Sequence, residues 1–350
     1  MVLLTCIMTS PVSAKESSAE KPDSAAESPE TVDKGKRKRW FFFRKKKKTE
    51  SNRRRARGNA PCLAWLPQEG KPRAVLLCVH GLGLHNGTYE PFGKKMSSYG
   101  YAVYAIDVRG FGSWMACEGR KKVDFSSCLE DVRTTLKVMR RAHRTLPVFL
   151  LGESMGGAIA LRACAMYPDL VDGLISSVPA SDRFKQHRTT FKVALHLFKS
   201  PDKPINVGEG VVKQATKDPE LRKDWINDPL ARMNLSPREL IQFDRFMKGN
   251  HKFARKIVDK PVLVVQGSKD KLVKPKGTME VFNKLRTKDK KFVLIPQAEH
   301  LIFEENQFSE NELRILDNWL KEHMDVVRET RGKKHEHKKR SGAKTSKSKD

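Results

Sequence analysis

Between Pro147 and Tyr167 the chain reads PVFLLGESMGGAIALRACAMY, and no other stretch restricts the fold so tightly. Val148 to Leu151 are consecutive apolar residues, the pattern of a strand buried on both faces in a parallel sheet. Good helix formers follow from Ala158 to Ala165, closed by Pro168. Only Gly152-Glu153-Ser154-Met155-Gly156 separates strand from helix, and it fits G-x-S-x-G. A turn this abrupt strains the serine backbone, and the flanking glycines remove Cβ atoms that would collide there. The Ser154 hydroxyl is expected to stand clear of the sheet. The helix N-terminus, with N–H groups that lack intrahelical acceptors, then points at whatever the serine attacks.

The rest of the chain can be placed around this turn. Cys62 to Leu66 reads as a short strand, Ala74 to Val79 as a buried one, and His80-Gly81-Leu82-Gly83 follows as a glycine-rich loop. Such a loop at the C-terminal end of a buried strand is where an open α/β sheet binds its ligand. It can supply one backbone N–H of an oxyanion hole, assigned to Leu82, with Met155, the residue after the serine, supplying the other. Phe92 to Tyr99 reads as a helix and Tyr101 to Ile106 as a strand. Leu129, Val132, Leu136 and Met139 recur at helical spacing within a segment from about Ser126 to His143. Gly173 to Val178 is a further strand. This unbroken alternation predicts an α/β fold with a mostly parallel, doubly wound sheet.

From about Pro179 to Asp259 the pattern changes to helices and loops without a convincing strand. Leu195, Leu197 and Phe198 fall on one such helix. Another begins where Ser236 can cap, Pro237 opens the first turn, Glu239 completes a capping box and Leu240 can staple onto Leu235. Inserted before the last strands, on the serine's side of the sheet, this segment reads as a lid that excludes water and shapes an acyl-chain pocket. The sheet resumes with Pro261 to Gln266, leading to Asp270, and Lys291 to Ile295, leading to His300; an amphipathic helix from about Glu310 to Val327 closes the body.

Ser, Asp and His thus follow one another, each just past a buried strand, in the chain order of a hydrolase triad on such a sheet. Ser154 would attack an acyl carbonyl, His300 would take its proton and return it to the leaving alcohol, and Asp270 would hold the imidazole tautomer. Glu299 and Glu304 lie too near His300 in sequence to be the natural acid, and His80 suits bracing of the glycine loop.

Charge separates the body from its ends. The chain carries a net +28; residues 1–58 hold 16 Lys and Arg against 7 Asp and Glu, and residues 328–350 hold 10 against 3. Both ends read as disordered basic tails flanking a hydrolase body over residues 59–327. In Lys34 to Lys48, KGKRKRWFFFRKKKK, four aromatics stand between cation clusters. That composition suits an anionic membrane surface, each cation contributing about 1 kcal/mol there, with nucleic acid as the competing polyanion. The six cysteines lack metal-ligand spacing and suit small buried hydrophobes in a reducing compartment. No apolar run approaches a spanning length. VLLTCIMTSPVSA at the N-terminus is short in its apolar part and has no preceding charge, so the expected location is cytoplasmic, with peripheral membrane contact, rather than secreted. No cofactor or metal is called for.

The stretch from His80 to Trp114, the run PVFLLGESMGGAIAL, Asp228-Pro229-Leu230, PVLVVQGSKDKLV from Pro261, and Ala298-Glu299-His300 together resemble the monoacylglycerol lipase and lysophospholipase group of α/β-hydrolases, over about Leu63 to Leu320. The resemblance implies the α/β-hydrolase fold and a serine hydrolase cleaving carboxylic esters, of monoacylglycerols or lysophospholipids, through an acyl-enzyme. It also implies Leu82 and Met155 as oxyanion donors and a lid admitting one acyl chain. Glu153 stands where the lipase often has histidine, and the basic tails are not part of the family pattern. Two other classes fit the same residues: an acyltransferase, in which an alcohol replaces water, and a lid-covered lipid-binding module that performs no chemistry.

Overall fold

The computed structural model describes residues 60–119, 121–179 and 200–327. The two basic tails and the helix expected around Leu195 lie outside these residues. Within them, seven strands make one sheet in the order β1-β3-β2-β4-β5-β8-β9. These are β1 (Cys62–Trp65), β2 (Ala74–Val79), β3 (Tyr101–Ile106), β4 (Val148–Glu153), β5 (Gly173–Ser177), β8 (Val262–Gly267) and β9 (Lys290–Ile295). Only β1 runs antiparallel to its neighbour; every other pairing is parallel. This is the mostly parallel, doubly wound sheet that the alternation of elements predicts.

The five inner strands β2, β3, β4, β5 and β8 are buried along their whole length because both faces are covered, whereas the edge strands β1 and β9 are partly exposed. Along β2, Val75, Leu77 and Val79 enter one core layer, with Val132 and Leu136 of α2 (Phe125–Ala142) and Ile159 of α3 (Met155–Met166). Ala74, Leu76 and Cys78 enter the other, with Phe92 and Met96 of α1 (Glu90–Ser98) and Leu316 and Trp319 of the closing helix over 310–327. All six residues of β2 are fully buried. Each large aliphatic side chain so placed contributes about 1.5–3 kcal/mol relative to exposure. Trp319 meets Phe149 of β4 edge to face, with ring centroids 5.8 Å apart.

Helix starts follow local side chains. Asp124 caps α2 by accepting from the N–H groups of Ser126 and Ser127. In the insertion between β5 and β8, Ser236 and Glu239 form the expected capping box at the start of α6 (Pro237–Lys248), and Leu235 and Leu240 join the same apolar cluster. The insertion also carries α4 (Gly208–Ala215), α5 (Pro219–Asn227) and α7 (Asn250–Ala254). One expectation fails here. The insertion is not free of strands, since β6 (Ile205–Asn206) pairs antiparallel with β7 (Asn234–Leu235). Two-residue strands have no room for an alternating pattern, so the sequence gives no sign of them.

Among the described residues Cys78, Cys128 and Cys164 are buried thiols. No helix among the described residues is long and apolar enough to cross a membrane.

Candidate active site

Ser154 sits at the junction of β4 and α3 with φ 55° and ψ −114°, a left-handed backbone in which a residue with a Cβ is strained. The surroundings hold it there. Its N–H donates to Ser177 O of β5 at 2.9 Å. A Cβ on Gly156 would overlap the Val79 carbonyl, and one on Gly152 would overlap the Gly156 carbonyl. Glycine at these two positions is what lets α3 press against the ends of β2 and β4.

Asp270 follows β8 and is 4% exposed. Its Oδ1 accepts from the N–H groups of Leu272 (2.7 Å) and Val273 (2.9 Å). Its Oδ2 accepts from Gln266 Nε2 (3.1 Å) and lies 2.8 Å from His300 Nδ1. Oδ2 of a carboxylate can only accept, so Nδ1 carries the hydrogen and Nε2 is left as the basic nitrogen. His300 follows β9 and is 2% exposed. Burial alone would lower its pKa; the charge and hydrogen bond of Asp270, helped by the charge of Glu153, raise it instead. Burial would likewise raise the pKa of Asp270, but the His300 charge and bond, with the two backbone donors, hold it below the ordinary carboxylate range. The pair therefore favours an imidazolium beside a carboxylate, the state a general base passes through after taking a proton.

Ser154 and His300 line one pocket together with Gly81 and Leu82. Its walls are otherwise apolar: Leu84 and Leu301 from the sheet's loops, Trp225 from α5, Phe243 and Met247 from α6. The insertion thus roofs the cavity over Ser154. It also touches the histidine loop directly, because the His300 N–H donates to Ala215 O at the end of α4.

Leu82 lies on the cavity wall beside Gly81, whose own N–H is given to Glu304 Oε1 at 2.8 Å. Met155 is buried and is the first residue of α3, where a backbone N–H has no acceptor inside the helix. His80 is buried, Nε2 accepts from Val108 N–H and Nδ1 lies 2.8 Å from Gly81 O. Desolvation drives its pKa down to about 3, so it is a neutral ring that ties β2's loop to the turn after β3.

Sequence reasoning assigns no role to three polar groups near the site. Glu153, between Gly152 and the serine, is fully buried and accepts four protein donors; Glu304, four residues after His300, is also fully buried. His85 Nε2 pairs with Asp228 Oδ2 at 2.7 Å, joining the glycine loop to the insertion across 143 positions of sequence. A charged residue at the inner end of an all-apolar strand is the one signal that could have marked Glu153. Among the described residues, no three His, Cys, Asp or Glu side chains converge as metal ligands would.

Residues 70–307 match the family described as serine aminopeptidase, S33. Human monoglyceride lipase is 30% identical over 252 residues, covering 70% of this chain and 80% of the relative. Monoacylglycerol lipase of Mycolicibacterium smegmatis is 29% identical over 276 residues, covering 74% and 92%. Among solved structures, Paleococcus ferrophilus monoacylglycerol lipase aligns with a TM-score of 0.64 at 25% identity, covering 76% of this chain and all of that one.

Proposed function

This chain belongs to the serine aminopeptidase S33 family of α/β-hydrolases and is a carboxylic ester hydrolase, and from that premise we propose that it cleaves monoacylglycerols, or the related lysophospholipids, through Ser154, His300 and Asp270. The observation that carries the reading is the cavity. A strained serine and a histidine bonded to a buried carboxylate open onto a pocket whose remaining walls are apolar side chains. A single acyl chain suits such walls, and the ester carbonyl at its end then reaches the serine.

In the first half-reaction His300 Nε2 takes the Ser154 proton as Oγ attacks the ester carbonyl. The N–H groups of Leu82 and Met155 receive the developing oxyanion. Collapse releases glycerol, or the corresponding head group, with the proton carried back from His300, and leaves an acyl-enzyme. Water then repeats the sequence and frees the fatty acid. The insertion acts as a lid: it roofs the cavity, lowers the local dielectric and strengthens each of these interactions.

Acyl length is the direct test. Across a series of monoacylglycerols, kcat/KM is expected to rise about fourfold per added methylene until the cavity is filled, from the ~0.8 kcal/mol gained on burying each CH₂. A flat profile from short to long chains would remove the acyl-pocket reading and leave a general esterase.

The basic aromatic run Lys34 to Lys48, outside the described residues, is proposed to hold the enzyme against anionic membranes, where such substrates reside. Deleting residues up to Gly58 is expected to abolish co-sedimentation with phosphatidylserine vesicles at low salt without changing turnover of a soluble ester. Equal sedimentation of both proteins would sink the anchor.

A further inference from the structure

Glu153 and Glu304 are two fully buried carboxyl groups that meet where three functional loops come together. Glu153 ends the nucleophile strand, Glu304 follows His300, and Glu304 reaches Gly81 in the glycine loop. Their hydrogen bonds are not alike. Glu153 Oε1 accepts from Ser177 Oγ (2.7 Å) and Ile302 N–H (2.9 Å); Oε2 accepts from the N–H groups of Phe303 and Glu304, both at 3.1 Å. Four donors converge on it, three of them backbone N–H groups that can only donate, so both oxygens are satisfied without a hydrogen of its own.

Glu304 is met by one N–H and by two hydroxyls, those of Thr88 and Tyr89, and the single hydrogen of Tyr89 is also claimed by Val79 O at 3.2 Å. Oε1 accepts from Gly81 N–H, and Oε2 lies 2.7 Å from Thr88 Oγ1. Thr88 Oγ1 also lies 2.8 Å from His85 O, a carbonyl that can only accept. The hydroxyl has one hydrogen for two acceptors. Both contacts are satisfied at once only when Thr88 donates to His85 O and Glu304 carries a hydrogen on Oε2 that it donates to Thr88.

We propose that Glu304 is kept as a neutral carboxylic acid and Glu153 as a carboxylate, and that this singly charged pair is a set of positioning residues locking the His300 loop and the glycine loop onto the nucleophile turn. The surroundings agree. Burial pushes both groups up, and Glu304 further because it faces the Glu153 charge; Glu305 adds to the push. Of the other titratable groups facing Glu304, Tyr89 and Cys78 are themselves fully buried and driven up, toward their neutral forms. His300 faces Glu153, and that charge supports its imidazolium. Two carboxylates this deeply buried and facing each other cannot both ionise, and the three backbone N–H groups fixed on Glu153 say which one does.

The catalytic consequence rests on the triad reading; the protonation state does not. Two amide substitutions separate the members. In Glu304→Gln the amide carbonyl accepts from Gly81 and the NH₂ donates to Thr88, copying the neutral acid, so kcat/KM of a soluble ester should fall at least about tenfold less than in Glu153→Gln. In Glu153→Gln the NH₂ confronts backbone donors of the 302–304 loop. There kcat is expected to fall about 10²-fold with KM nearly unchanged, and the acid limb of the kcat/KM profile to move to lower pH as His300 loses a supporting charge. A structural role alone would not move that limb. The reverse ranking, a damaged Glu304→Gln and a near-normal Glu153→Gln, would overturn the assignment.

Infrared spectroscopy reads the proton without any turnover. The C=O stretch of a protonated carboxyl should be present in wild type at about pH 8 and missing in Glu304→Gln. Its absence from folded wild type overturns the proposal even if the esterase works. Its presence in a protein that fails to hydrolyse esters would leave the pair standing and remove the triad reading instead. The same spectrum decides the matter should Glu153→Gln not fold.

Discussion

Ser154→Ala is expected to lower kcat toward a soluble ester by about 10⁶-fold while leaving the fold in place. The residual rate is what binding and the oxyanion donors supply alone. The serine hydroxyl caps no helix end, so its loss removes no bond that holds α3, and the change in stability should stay within about 1 kcal/mol. A fluorophosphonate probe gives the cleanest measurement, because it reports the activated nucleophile and not the substrate. Wild type should be labelled and Ser154→Ala should not. Equal labelling of both would move the nucleophile elsewhere. No labelling of folded wild type would bring forward the binding-module alternative.

Asp270→Asn is expected to cost about 10⁴-fold in kcat, a loss that comes from a tautomer and not from lost packing. The wild-type carboxylate faces donors on both sides: Leu272 and Val273 N–H at Oδ1, Gln266 and His300 at Oδ2. An asparagine has one acceptor end. Turned toward the two fixed backbone N–H groups, it presents NH₂ to His300 Nδ1, which must then give up its hydrogen and accept. The hydrogen moves to Nε2, and the nitrogen that should take the serine proton is already protonated. Turned the other way, the NH₂ meets two backbone donors and the loop after β8 is destabilised. Steady-state kinetics together with imidazole ¹⁵N shifts distinguish these outcomes. A kcat within tenfold of wild type would mean that Asp270 does not orient His300.

The parts of this structure legible in sequence are those where one local pattern has one physical meaning. Val148 to Leu151 are apolar without alternation because helices cover both faces of β4, and the glycines at 152 and 156 are required by backbone contacts closer than any Cβ allows. Asp270 can be proposed because it follows a buried strand and His300 because it follows the last strand, which is a half-exposed edge and not the buried strand expected, although only the folded chain brings them to 2.8 Å. What escaped notice depends on partners far along the chain. Glu153 finds its donors at 302–304, His85 its acid at Asp228, and the β6–β7 ribbon needs two residues from each side of a long excursion. No periodicity encodes such meetings. A buried carboxylate looks like any surface glutamate until the loop that satisfies it is in place.

The strand order also says when the enzyme becomes competent. From β4 onward each strand pairs with one already synthesised: β4 with β2, β5 with β4, β8 with β5 and β9 with β8. From that point on, the sheet can therefore extend outward in step with translation on the ribosome. Ser154 belongs to the part made first, but the base proposed for it, His300, lies beyond β9, the last strand and one edge of the sheet. A nascent chain holds a strained serine with nothing to activate it. On the proposed assignment hydrolytic power arrives only with the final strand, and a chain ending before β9 should leave a soluble ester uncleaved.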